Sequence, residues 1–290
     1  MLLSALLTGL VLGGTYALIA MGLTLQYGVA RIMNLAYGDL IIAASFGAFV
    51  LFTAAGLNPL LGLVVVVPAG FALSWLIYRV ALQPLVRRAR DRAALEADSI
   101  LATFGLLFVI QGVALVVFGA GFMSYSYLAV PVDLLGVTLA GNRLLAFALA
   151  VVFGAGLWLA LTRTRWGTAI RAVAAAPASA PLVGIDVERV ARFAFALGGA
   201  LAAAGGVVIS MFLTFTATAG VVYTMKALVV VIMGGVGNLM GALLAGLILG
   251  LVETLVATYV DPGLTLAATY AIFLLVLVVR PAGLFGRATR

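Results

Sequence analysis

Long apolar runs separated by short polar intervals organise the whole chain. Runs at 3–27, 39–56, 58–79, 99–119, 143–162, 192–213, 238–258 and 263–280 each approach the length that an α-helix needs to cross a bilayer, about 20 residues. A shorter run at 221–235 reads as a ninth, broken segment. The pattern predicts an all-α polytopic membrane protein of about eight or nine transmembrane helices, some of them short or interrupted. The intervals at 80–98, 120–142 and 163–192 are too short for separate domains, so residues 1–290 form a single transmembrane domain. The apolar start, which meets its first charge only at Arg31, reads as a retained first helix rather than a signal peptide.

Composition strengthens this reading. Hydrophobic residues make up 66% of the chain and charged residues 9%, against roughly 25% charge in a soluble domain. Too little charge is available to coat a water-facing globule. The 34 glycines suit helices that pack closely in lipid. Cysteine and histidine are both absent, which removes disulfides, thiolate and imidazole metal ligands, and Ser-His or Cys-His nucleophiles. The single lysine, in Met225-Lys226-Ala227, is not part of a phosphate-binding loop. The chain is therefore expected to be no enzyme, with no nucleotide site of its own, no cofactor and no metal.

The net charge of +7 could point to nucleic acid, but the arginines are sorted by topology. Arg79, Arg87, Arg88, Arg90 and Arg92 flank one polar interval, Arg163, Arg165, Arg171, Arg189 and Arg192 the next, and Arg280, Arg287 and Arg290 the tail. Counting crossings, with 221–235 taken as one of them, puts all of these and Arg31 on one face, leaving Arg143 and Lys226 as exceptions. The positive-inside rule makes that face cytoplasmic, with the N-terminus outside and the C-terminus inside. No nucleic-acid partner is needed. The interval 120–142 is then external, and its Tyr125 and Tyr127 serve either as interfacial anchors or as part of a docking surface.

Two segments interrupt the helical texture: Tyr27 to Asp39, and Met233 to Gly241. Irregular backbone at membrane depth survives only when buried in protein or lining a wet cavity. Asn34, Asp39, Gly234, Gly235 and Asn238 are therefore candidates to line a translocation path. A plain tight turn accounts for the same residues, and Asp39 also suits the N-terminus of the helix that follows it. The two segments share an Asn-Leu echo, which suggests corresponding breaks in two halves. Lys226 and Glu253 are ionisable residues within apolar runs, and an antiparallel pairing of those runs would let them form a structural ion pair; separate snorkelling is the other option. In 163–192, Pro177 fits a helix start and Gly184 a helix stop, giving a short cytoplasmic helix suited to act as a lever.

Three groups of residues resemble the branched-chain amino acid ABC transporter permeases, specifically the LivH-like subunit. They are Gly22-Leu23-Thr24-Leu25 with Tyr27-Gly28 and Asn34 to Asp39; Gly167 to Val173 with Gly184-Ile185; and Lys226-Ala227 with Gly234 to Asn238, Gly241-Ala242 and Gly246 to Glu253. The resemblance covers nearly the whole chain. It implies an importer for branched-chain or hydrophobic amino acids, with relatives that move urea, short amides or aromatic acids. It also implies the partners: a second, LivM-like permease subunit, two cytoplasmic ATPase subunits, an external solute-binding protein that sets most of the specificity, and the surrounding membrane lipid. Arg171, Pro177, Ala180, Leu182, Gly184 and Ile185 would then form the loop that couples to the ATPases. Ala174-Ala175-Ala176-Pro177 is more apolar than is usual there. A stand-alone secondary transporter is the rival class, and it would call for an ion-binding site at mid-membrane. Because the chain holds no cysteine, a single cysteine placed within 83–98 should escape membrane-impermeant thiol reagents in intact cells; labelling there would overturn the topology.

Overall fold

The computed structural model describes residues 2–134 and 136–286, except for the side chains of Arg92 and Leu134. Arg287 and Arg290 lie outside the described residues. The helices are α1 (Leu2–Ala30), α2 (Tyr37–Thr53), α3 (Pro59–Arg88), α4 (Arg92–Phe118), α5 (Gly141–Arg163), α6 (Arg165–Ala175), α7 (Val187–Ser210), α8 (Gly220–Gly234), α9 (Leu239–Tyr259) and α10 (Thr265–Val279). A small antiparallel hairpin, β1 (Pro131–Leu134) and β2 (Val137–Ala140), precedes α5. Seven of the helices are long and apolar enough to cross a bilayer, α10 together with the 3₁₀ turn Pro262–Leu264 that leads into it, and α2 and α8 are shorter apolar helices.

Two polar intervals are more helical than expected. The interval 80–98 is no loop: α3 continues to Arg88, α4 begins at Arg92, and only 89–91 turns. Good helix formers such as Gln83, Leu85, Glu96 and the arginines extend both helices beyond the apolar boundary. Pro84 is accommodated by a π-helical stretch, Tyr78–Leu82, just before it. Asp91 caps α4 by accepting from the Ala94 N–H at 2.8 Å. The expected cytoplasmic helix also lies elsewhere. It runs from Arg165 to Ala175, capped by Thr164, and Pro177 follows it rather than starting it. The alanines at 174 and 175 prolong the helix, and what remains before Gly184 is a single 3₁₀ turn, Ala180–Val183. Gly184 does end that turn, in the left-handed conformation at φ 77°.

Glycine-mediated packing sets the architecture. α1 and α9 run antiparallel, with Gly9 against Leu251, Gly13 against Leu247 and Gly250, and Gly246 against Ala17. A Cβ at Gly250 would overlap the backbone of Gly13 itself. Without a hydrophobic drive between helices in lipid, such close approach supplies the dispersion contacts that hold them. α7 packs on α3 in a similar way through Gly199 against Gly70 and Ser74, and it crosses α1 where Gly198 meets Gly22. The most apolar window of α7 is 89% buried, whereas those of α4 and α10 are 11% buried. α7 and α1 thus form the centre and α4 and α10 the rim.

The chain repeats this layout with reversed direction. α1, α2, α3 and α4 have counterparts in α7, α8, α9 and α10: a central helix, an irregular stretch, a short helix, then two long ones. Their partners exchange accordingly, because α1 packs on α9 as α7 packs on α3. The counterpart of 31–36 is therefore 211–219, not the 235–238 turn suggested by the Asn-Leu echo. A Gly250→Leu substitution should lower stability by about 1–3 kcal/mol or more, since backbone rather than a flexible side chain opposes the added atoms. Gly105→Ala, at a site with nothing within 4 Å of an added Cβ, should be neutral or stabilise by up to about 1 kcal/mol. Thermal unfolding of the detergent-solubilised protein reads both.

Candidate translocation site

Two stretches turn back into the bundle from opposite ends. From the end of α1, residues 31–36 run inward along α4: the Leu35 N–H donates to Thr103 Oγ1 at 3.1 Å, and Thr103 Oγ1, whose own proton goes to the Ser99 carbonyl at 2.7 Å, lies 3.2 Å from the Met33 carbonyl. From the end of α7, residues 211–219 descend past Met123, which bridges to Phe215, and past Phe46, whose ring meets Phe215 edge-on with centroids 5.1 Å apart. The helices that follow, α2 and α8, start in mid-bundle and meet at their first turns. The Gly38 N–H donates to Thr224 Oγ1 at 2.8 Å, and a Cβ on Gly38 would overlap the Gly220 carbonyl. Two glycines at this crossing are thus a steric necessity. A helix cannot pair its first N–H groups internally, so two positive helix ends converge in the low-dielectric interior.

Side chains satisfy the irregular backbone there. Asn34, fully buried, accepts from the Ala36 N–H at 3.1 Å and donates to Gln26 Oε1 at 2.9 Å, while Gln26 donates to the Phe195 carbonyl at 3.0 Å. The Tyr37 hydroxyl donates to the Ile19 carbonyl at 2.8 Å. Asp39 does not cap α2, whose N-cap is Ala36; it lies in the first turn, 1% exposed. Its Oδ1 accepts from Gln111 Nε2 at 3.0 Å, and its Oδ2 has no hydrogen-bond partner among the described residues. Gln26, Thr103, Gln111 and Thr224 escaped sequence reasoning. Their only signal is polarity within an apolar helix.

The remaining candidates fall into three places. Lys226 and Glu253 come together at 2.9 Å, with Glu253 also accepting from Tyr16 at 2.7 Å and Thr269 at 2.7 Å. Lys226 additionally donates to the Tyr16 hydroxyl at 2.6 Å and lies 4.7 Å from its ring centroid. The cluster ties α1, α8, α9 and α10 together. Gly234, Gly235 and Asn238 form the turn from α8 to α9, and the hydrogen bonds of the Asn238 side chain run to α9 and Phe285 and not to Asn34 or Asp39. Gly235 and Gly237 take φ of 96° and 80°, and Asn238 caps α9 through the Gly241 N–H at 3.0 Å and donates to the Phe285 carbonyl at 2.9 Å. Of the coupling candidates, Arg171, Pro177 and Gly184 are exposed, Ile185 is half-buried, Leu182 is 86% exposed and Ala180 is buried.

The described arginines other than Arg143, which lies in the first turn of α5, collect at the end of the bundle that carries this turn. Arg31 donates to the Ala174 carbonyl at 3.2 Å, Arg87 pairs with Glu188 at 3.0 Å, and Gly28 packs against Gly237. At the opposite end Tyr125 stacks on Phe52 and shares a hydrogen bond with Ser210 at 2.9 Å. Burial pushes its phenol above the ordinary range, and the Ser210 bond opposes that shift. Two apolar crevices open on the flanks, one of ≈ 450 Å³ between α2, α3 and α7, the other of ≈ 410 Å³ between α1, α5 and α9.

A bundle of lipid-facing helices around two helices that begin at mid-depth is the build of a multi-pass membrane permease. Residues 5–279 match the family described as the branched-chain amino acid transport system permease component, and the chain belongs to that family. It is 31% identical to the high-affinity branched-chain amino acid transport system permease protein LivH of Salmonella typhimurium, over 98% of this chain and 96% of that one. It is 29% identical to a probable branched-chain amino acid transport permease protein LivH of Methanocaldococcus jannaschii, over 78% of this chain and 71% of that one. Among solved structures it resembles PsaBC from Streptococcus pneumoniae, determined in complex with a Fab. That likeness has a TM-score of 0.52 at 13% identity, covers 97% of this chain and 92% of that one, and speaks for the fold alone.

Removing one member of the buried ion pair leaves the other uncompensated. Lys226→Met should therefore destabilise the protein by about 3–5 kcal/mol, and the double variant Lys226→Met with Glu253→Leu by less than that. Thermal unfolding of the two variants makes the comparison; a double variant worse than the single would contradict it.

Proposed function

We propose that this chain is one permease subunit of an ATP-driven importer of branched-chain and other hydrophobic amino acids. The observation that carries the reading is the match to the permease family over residues 5–279, supported by relatives named for branched-chain amino acid transport. A second permease subunit of the LivM-like kind completes the path, two cytoplasmic ATPases drive it, and an external binding protein delivers solute. The arginine-rich end faces the cytoplasm, which puts the N-terminus outside and the C-terminus inside. The path runs past Asn34 and Asp39, where α2 and α8 begin. Lys226 and Glu253 are a structural tie.

The ATPase contact is centred on α6 and the following 3₁₀ turn. Leu182 and Val183, 86% and 74% exposed at a strongly basic end, are apolar side chains with an outward position suited to a protein groove. A mechanical route leads inward from there. The Ala174 carbonyl of α6 holds the guanidinium of Arg31, and Arg31 opens the 31–36 stretch with a left-handed φ of 59°. A non-glycine residue keeps that conformation only when its surroundings impose it, at a cost of order 1 kcal/mol or more. Displacing α6 therefore pulls on the stretch that carries Asn34 and leads to Asp39.

Leu182→Asp tests the contact without disturbing the core. It should leave membrane insertion intact while ATPase co-purification or stimulation falls by about tenfold, the scale of one lost apolar contact of 1.4 kcal/mol or more. Ala180→Asp, at a buried position, should instead damage the chain's own stability. Normal assembly and ATPase stimulation in Leu182→Asp would refute this contact.

A further inference from the structure

The orphan carboxylate oxygen of Asp39 has a consequence for what the mid-bundle crossing holds. A carboxylate in hydrocarbon is costly unless a cation or donors answer it. Gln111 answers Oδ1, and Oδ2 is left without a hydrogen bond. Lys226 is committed to Glu253 and Tyr16, and Arg31 to the Ala174 carbonyl at the basic end. Asp39 makes no ion pair with any described residue. Against it lies Gly220, the first residue of α8, whose missing Cβ is what admits the carboxylate. A negative group and the positive end of a helix thus sit side by side.

We propose that Asp39, Gln111 and the first turn of α8 form a site for a zwitterionic α-amino acid. The ligand's ammonium is received by Asp39 Oδ2 and its carboxylate is turned toward the α8 N-terminus. An ammonium brings three N–H donors, and the amide oxygen of Gln111 is a second acceptor for them once that side chain turns. Gln111 is half-buried and meets the otherwise covered carboxylate through its bond to Oδ1, so a ligand approaches by displacing it. Its helical neighbours Phe108 and Leu115 are exposed, as are Val221 and Met225 in the first two turns of α8. They offer apolar surface to an aliphatic side chain at the same depth. The inference rests on the amino-acid reading above and gives it an atomic basis.

The test uses the complete complex in liposomes, with its partner permease, ATPases and leucine-loaded binding protein. Leucine uptake by the unaltered complex judges the amino-acid reading first; without it both that reading and this site fall. Given uptake, Asp39→Asn should reduce it at least about tenfold while ATPase stimulation by the binding protein stays within about twofold, the loss expected for one charge-assisted bond. Uptake close to the unaltered value overturns the site alone, and so does an equal loss of ATPase stimulation. A second variant does not depend on altering Asp39. In the otherwise cysteine-free chain, Gln111→Cys should react with 2-aminoethyl methanethiosulfonate, and turnover with leucine should slow that reaction severalfold. If leucine leaves the labelling rate unchanged, the site is refuted even where Asp39→Asn fails to assemble.

Discussion

Every peptide group inside a bilayer must find a partner within the protein, and this constraint shapes the whole molecule. Seven long helices meet it internally. The two inward-turning stretches cannot, so they draw on neighbouring groups: Thr103, Thr224 and the stretch's own Asn34 for Leu35, Ala36 and Gly38 in the first, Asn142 for Met211 and the Met123 backbone for Phe215 in the second. Apart from the cluster around Lys226 and Glu253, the polar residues that link helices gather where backbone leaves the helical state, and α1, α4, α7 and α8 are held around that place.

Close packing sustains the arrangement. Because lipid tails are as apolar as leucine, the helices gain little from hiding apolar area and much from approaching backbone to backbone. Glycines on α1, α7 and α9 permit that approach, and they set α1 and α7 at the centre. α4 and α10, with large apolar side chains turned outward, take the rim. The reversed repetition of the two halves follows through the same contacts. The seat of α1 on α9 is matched by that of α7 on α3, and the short helices α2 and α8 meet between them.

Much of this was legible in the sequence, for definable reasons. Hydrocarbon imposes a length and a polarity on each span, so the runs revealed the helices and the arginines revealed which ends lie together. Lys226 and Glu253 could be paired because charge at such depth demands a counter-charge. The helical character of 83–98 was hidden, since polar helix formers extend a span as readily as they end it. Pro177 misled because a proline shortly after a helix and one at its start leave the same mark; the alanines before it decided the matter. The re-entrant course of 211–219 was hidden by its own apolarity. Met211, Phe212 and Leu213 read as the continuation of a span.

The tie between Lys226 and Glu253 also has an electrical meaning. An isolated charge carried through the membrane field does work of about 2.3 kcal/mol per 100 mV for a full crossing. Here the ammonium and carboxylate are 2.9 Å apart and bound to adjoining helices. Any tilt that carried α8 and α9 together would move the two charges as one, and their contributions to the work against the membrane potential would cancel.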